Sequence, residues 1–148
     1  MTAGFPDAAG RLAQARERVA ARALEVALAA DLTLRERYDE VGLRLLLRGA
    51  AGAVDQLAKS LASDDPGFVS AWADQVAPIY RRRRVPMDDL IGLAEGLRLA
   101  TRSVVAPGER GPIDRALDGA VVVFRKYRRL AGDARKRNRI LQFIYKGA

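Results

Sequence analysis

The chain has 148 residues, 49% apolar and 30% charged, with a net charge of +8; that suffices for one compact domain with its own core and is too apolar for a disordered segment. It contains neither Cys nor His, which excludes disulfides, thiolate nucleophiles, zinc–thiolate sites, histidine acid–base catalysis and His-ligated haem. The opening MTAGFPDAAG lacks a basic segment followed by an apolar run, and no apolar run approaches the roughly 18–20 residues of a membrane span, so a soluble, cytoplasmic protein is expected.

Asp7 is placed to cap a first helix, along which Leu12, Ala15, Val19, Ala23, Val26 and Ala30 recur at helical spacing. Thr33-Leu-Arg-Glu36 has the form of a capping box and predicts the start of a second helix. That helix carries Tyr38, Val41, Leu45, Leu46, Val54, Leu57 and Leu61 on its buried side, with Gly49 and Gly52 as points where it kinks or divides. In SDDPG, Asp65 as N-cap and Pro66 as the first helical residue restart the chain. The third helix runs through FVSAWADQVAPIYRRRR, with a kink expected at Pro78 and a core face of Phe68, Trp72, Val76 and Ile79. Pro86 opens a fourth helix whose first turn holds Asp88 and Asp89, where the macrodipole favours anions. After the loop APGERGP, Pro112 opens a long fifth helix. Its three consecutive β-branched residues, Val121–Val123, require tertiary burial or a dimer interface to offset their helix propensity. No alternating strand pattern and no repeat is present. The expectation is a single all-α bundle of five or six helices that ends in a long basic helical segment.

The charge is not spread evenly. Residues 125–148 hold nine Lys/Arg and one acid, the whole net charge of the chain, while the preceding residues are balanced. If the helix continues, Phe124, Tyr127, Ala131, Ala134, Leu141 and Tyr145 share one face and most of the bases share the opposite arc. Ile140 and Phe143 point into that basic arc. Gly132-Asp133 has the chemistry of a helix stop and restart, which divides the chain into a bundle, residues 1–132, and a basic amphipathic extension of the same domain, residues 133–148. Helix lengths at 1.5 Å per residue bring the fifth helix level with Pro86 near residues 131–133, so Arg81–Arg84 and the bases beyond Arg125 should be neighbours, with Asp88 and Asp89 as nearby counter-charges.

Catalytic chemistry is sparse. The serines have no histidine partner, and neither a nucleophile elbow nor a phosphate-binding glycine loop occurs. The acid pairs Asp64/Asp65 and Asp88/Asp89 sit at helix starts, where capping accounts for them without a metal. No enzyme activity, cofactor, metal or small-molecule substrate is therefore expected. The candidate site is a set of anion-binding bases, Arg81, Arg82, Arg83, Arg84, Arg125, Lys126, Arg128, Arg129, Arg135, Lys136, Arg137 and Arg139, with Ile140 and Phe143 as docking anchors. Nucleic acid is the leading partner, bound by counterion release without strong sequence preference because no base-reading motif is present. An acidic protein and an anionic membrane remain open as alternatives.

The stretch LASDDPGFVSAWADQVAPIYRRRRVPMDDLIGLAEGL resembles part of the helical N-terminal sensory domains of stressosome RsbR-like and PucR-type bacterial regulators, over residues 33–105. The resemblance rests on the Asp-Pro restart, the Trp-bearing helix, the R-x-V-P break and the amphipathic helix that follows. It implies an all-helical, non-enzymatic, dimerising domain with a regulatory role, and it assigns no binding residues. A stand-alone sensory or scaffold domain that recognises a protein through apolar helix faces is accordingly the second functional expectation, and a homodimer the expected assembly.

Overall fold

The computed structural model describes the backbone of residues 4–146 and the side-chain surroundings of residues 4–130. Seven α-helices follow one another among them: α1 Pro6–Gln14, α2 Arg16–Ala30, α3 Leu34–Arg37, α4 Glu40–Ser63, α5 Gly67–Arg82, α6 Met87–Ala100 and α7 Arg110–Lys146. Short 3-10 turns at Thr101–Ser103 and Pro107–Glu109 link α6 to α7, and no strand is present among the described residues. The expected all-α bundle forms, with seven helices rather than five or six.

The first expected helix is two. Ala15, at φ −91° and ψ 9°, makes an elbow, so that α1 packs on α4 while α2 packs on α6 and α4. Asp7 is not the cap: Pro6 occupies the first turn, and the N–H of Phe5 donates to the Leu61 carbonyl at 2.8 Å, which ties the chain start to α4. The capping box at Thr33 does not form either. Thr33 donates its own hydroxyl to Asp31 Oδ1 at 2.7 Å, and only the four-residue α3 follows. The long helix starts instead behind Asp39, whose Oδ1 accepts from the Gly42 N–H at 2.7 Å. A nearer acceptor won: Asp31, two residues away, holds Thr33 in a local turn.

From Glu40 onward α4 runs unbroken through Gly49 and Gly52. Gly49 is required by packing, because a Cβ there would lie 2.1 Å from the Tyr80 hydroxyl. The seam between α2 and α6 is equally close. Ala20, Ala23 and Ala27 are buried there, and a Cβ on Gly96 would lie 2.3 Å from the Ala23 carbonyl oxygen. Such small-residue contacts let α6 sit centrally, against α2 on one side and α7 on the other.

α5 continues through Pro78, and its buried face is Val69, Ala73, Ala77 and Tyr80. The face expected from Phe68, Trp72, Val76 and Ile79 is displaced toward solvent: Phe68 and Ile79 are exposed, while Trp72 and Val76 sit at the margin of the core. Trp72 meets the buried Phe124 edge-to-face, with ring centroids 6.3 Å apart. Three pairings set the direction of α5 against α7: Asp64 with Arg115, Ser70 beside Gly119, and Trp72 with Phe124. They advance in the same sense along both helices, so the two run parallel.

α7 begins at Arg110, two residues before Pro112, and its backbone stays helical across Gly132-Asp133. The turn expected there is not formed, since a Gly costs only about 1 kcal/mol inside a helix and can be carried by its neighbours. Of the valine triplet, Val121 is buried, Val123 is half-buried and Val122 faces solvent. Two non-glycine residues among those described adopt positive φ, Asp64 at 51° and Arg84 at 62°. For an L-residue this conformation costs about 1–2 kcal/mol.

Candidate functional site

The site begins where α5 ends. The Val85 N–H donates to the Tyr80 carbonyl at 2.9 Å, and the Arg84 N–H donates to the Arg81 carbonyl at 3.0 Å. This pair of bonds closes a helix C-terminus whose reversing residue is left-handed, and that residue is usually Gly. Here it is Arg84. Buried Val85 and Tyr80 lie on either side of the closure and anchor it. The arginine run therefore spans the last helical turn and the reversal: Arg81 is half-buried, and Arg82, Arg83 and Arg84 are exposed.

Pro86, extended at φ −62° and ψ 142°, then starts α6. In the first turn of α6, Asp88 Oδ1 accepts from Arg128 Nη1 at 2.8 Å. Both partners are about half exposed or more, so the pair contributes ~0–1 kcal/mol. Its value is positional, because it brings α7 against the α5–α6 turn. Arg81–Arg84 and residues 125–129 thus share one end of the bundle. Arg125, Lys126 and Arg129 are exposed there. Among the described residues no carboxylate lies within ion-pair distance of Arg81–Arg84, Arg125, Lys126 or Arg129. Elsewhere on the surface, compensation is common: Arg11 pairs with Glu109, Arg16 with Asp55, Arg44 with Glu40 and Arg115 with Asp64. Arg98 holds Glu95, Asp114 and Asp118 together.

Asp89 is not the counter-charge it was expected to be. It is buried, and its two oxygens accept from Arg37 Nη2 at 2.6 Å and from the Tyr38 hydroxyl at 2.5 Å. Burial, and then the bond to Asp89, hold the Tyr38 phenol well above its usual range. Arg37 also reaches Asp31 at 3.2 Å, so this network fastens the α2–α3 corner to the start of α6, directly after the arginine run. The residues are about fifty positions apart in the chain, and no sequence pattern links them.

The remaining expected bases, Arg135, Lys136, Arg137 and Arg139, and the anchors Ile140 and Phe143 lie on the helical backbone of α7, outside the residues whose side chains are described. In the core, the void among Ala53, Trp72, Leu93, Leu97, Leu117 and Phe124 measures about 10 Å³ and is apolar. That is roughly the room of one water molecule with no polar partner for it. Among the described residues no group of three or more metal-ligating side chains occurs, and no helix is long and apolar enough to cross a membrane. Comparison of the chain with protein-family models, curated proteins and solved structures finds no match.

Proposed function

We propose that this chain is a non-enzymatic regulatory protein that binds the phosphate backbone of nucleic acid, without strong sequence preference, through the basic end of its bundle. The observation that carries the reading is the concentration of uncompensated arginines: Arg82, Arg83, Arg84, Arg125, Lys126 and Arg129 are exposed at one end and lack carboxylate partners among the described residues. Guanidinium groups match phosphate oxygens in bidentate geometry, and each neutralised phosphate releases condensed counterions. Arg81 at the end of α5 and Arg128 on α7 belong to the same surface, and the bases Arg135, Lys136, Arg137 and Arg139 further along the α7 sequence are assigned to it by this reading. Ile140 and Phe143 are its apolar anchors.

Six phosphate contacts imply a log–log salt slope near −5, so affinity should fall about a thousandfold between ~50 and ~200 mM salt. The test measures binding of a mixed-sequence DNA duplex, an RNA duplex and phosphatidylserine vesicles over that range. The full chain is compared with a variant carrying R82A, R83A, R125A and R129A, all exposed positions. The proposal expects a steep duplex slope that is shallower by about 3 to 4 in the variant. An unchanged slope sinks it. Binding to vesicles but to neither duplex transfers the surface to an anionic membrane.

A second reading is favoured by one observation. α5 exposes Phe68 and Ile79, and Phe68, Ala71, Trp72 and Gln75 line a shallow groove together with Gln56. Such an edge suits a protein partner, in the manner of a stand-alone sensory or scaffold domain. A homodimer would use Val122, 63% exposed on α7, and sedimentation of the full chain across micromolar concentrations checks it.

A further inference from the structure

The left-handed backbone at Arg84 has a consequence for which base does the binding. We infer that Arg84 is a dedicated phosphate-contacting residue, kept at the helix-reversal position of α5 at the expense of local stability; this rests on the nucleic-acid reading above. Glycine is the favoured residue where a helix closes by a left-handed reversal, since it has no Cβ to crowd the following carbonyl. Arg84 occupies that place at φ 62°, with both closing hydrogen bonds made. A β-carbon there is a standing strain, and something must offset it.

The closing bonds and the buried Val85 support the reversal through the backbone of residue 84 alone, and no described contact of its side chain adds to them. The other left-handed residue, Asp64, uses its side chain: Oδ1 accepts from Arg115 Nη2 at 2.9 Å, which ties the end of α4 to α7. The Arg84 side chain is exposed and has no hydrogen-bond or ion-pair partner among the described residues. The helix macrodipole does not explain it either, because Arg81 and Arg82 already occupy the last turn, where the dipole effect is concentrated. The conformation also sets Arg84 apart geometrically. Arg81 to Arg83 follow one another around the helix, whereas the reversal takes Arg84 out of that progression. It sits between the end of α5 and Pro86, on the turn that leads into Asp88, the residue that pairs with Arg128 of α7. The residue is thus located where the two basic groups join, and strain retained at an exposed arginine points to a ligand outside the chain.

The full-length variant R84G separates stability from binding. Relief of the left-handed Cβ should raise Tm by about 2–4 °C, so loss of fold does not confuse the result. Affinity for a mixed-sequence DNA duplex should fall about eightfold at ~0.1 M salt, the value of one phosphate contact, and the salt slope should shrink by about 0.9. R102A removes the same charge from an exposed position at the opposite end of α6 and should change affinity less than about twofold. An R84G protein that is stabilised but binds as tightly as wild type overturns the inference while leaving the nucleic-acid reading intact. Equal losses in R84G and R102A overturn it as well, because only net charge would then matter. A wild-type chain that binds no duplex brings down both readings together.

Discussion

Gly49→Ala is the sharpest test of how the bundle holds its basic end. In an exposed helix interior this change stabilises by about 1 kcal/mol, because Ala loses less backbone entropy than Gly. Here the new methyl would lie 2.1 Å from the Tyr80 hydroxyl oxygen and 3.1 Å from the ring carbon that bears it. An oxygen–carbon contact needs more than 3 Å, so the Tyr80 ring has to move by about 1 Å in a core packed to crystal density. Overpacking of this kind costs about 1–3 kcal/mol. The net expectation is destabilisation by about 1–2 kcal/mol, which lowers Tm by about 3–6 °C. Tyr80→Phe supplies the control. Without the hydroxyl the closest atom is the ring carbon at 3.1 Å, which needs a shift of only a few tenths of an ångström. The Tyr80 hydroxyl is at 3.5 Å from the Leu45 carbonyl, so its own hydrogen bond is weak and Y80F should be nearly neutral. In the Y80F background G49A should therefore be neutral or stabilising. Thermal unfolding followed by far-ultraviolet circular dichroism measures all four species, and Trp72, the single tryptophan, reports on the same packing by fluorescence. A G49A protein that melts above wild type would refute the argument, as would an equal loss in the Y80F background. Because the Tyr80 carbonyl accepts the bond that closes the α5 terminus, G49A should also loosen the arginine turn and weaken duplex binding.

Asp89→Ala removes the acceptor of two short hydrogen bonds and leaves the Tyr38 hydroxyl partly buried without a partner; Arg37 retains Asp31 and solvent. A loss of about 2–4 kcal/mol is expected, coupled to Y38F by about 1 kcal/mol in a double-mutant cycle, and strict additivity would show that the contact carries no energy. Stability should also fall in alkali. Tyr38 and Tyr80 are both raised from an ordinary value near 10, in each case chiefly by burial, so the folded state holds their protons more tightly than the unfolded chain does. Their contribution is complete below pH 10 and declines as pH rises toward the folded-state values. Denaturant titrations from pH 8 to 11 should show that decline, smaller in a Y38F variant; a profile flat above pH 10 would contradict it.

Much of the local architecture was open to inspection in the chain itself. Proline and aspartate placed the starts of α5 and α6, and the absence of any two-residue alternation left only helices. Charge counting located the basic end, and helix length brought it to the α5–α6 turn, where Arg128 meets Asp88. These features depend on neighbours in sequence, so composition and spacing carry them.

The rest was decided by approach of one helix to another. Hydrophobicity placed the core face of α5 on Phe68, Trp72, Val76 and Ile79; the buried face is instead the alanine-bearing one, Val69, Ala73, Ala77 and Tyr80. The reason is steric, because α4 comes close enough at Gly49 that only small residues and the edge of Tyr80 fit between. Likewise the capping box expected at Thr33 did not form, because Asp31 engaged Thr33 first, and the long helix began behind Asp39, six residues later. Asp89 read as a helix-start anion and became a buried acceptor once Arg37 and Tyr38 arrived from fifty residues away. The sequence by itself determined that the protein is helical and that its net positive charge is carried by residues 125–148. Only the tertiary structure decided which acids neutralise which bases, and therefore which arginines lack a carboxylate partner among the described residues, because pairing depends on distances that a linear order does not contain.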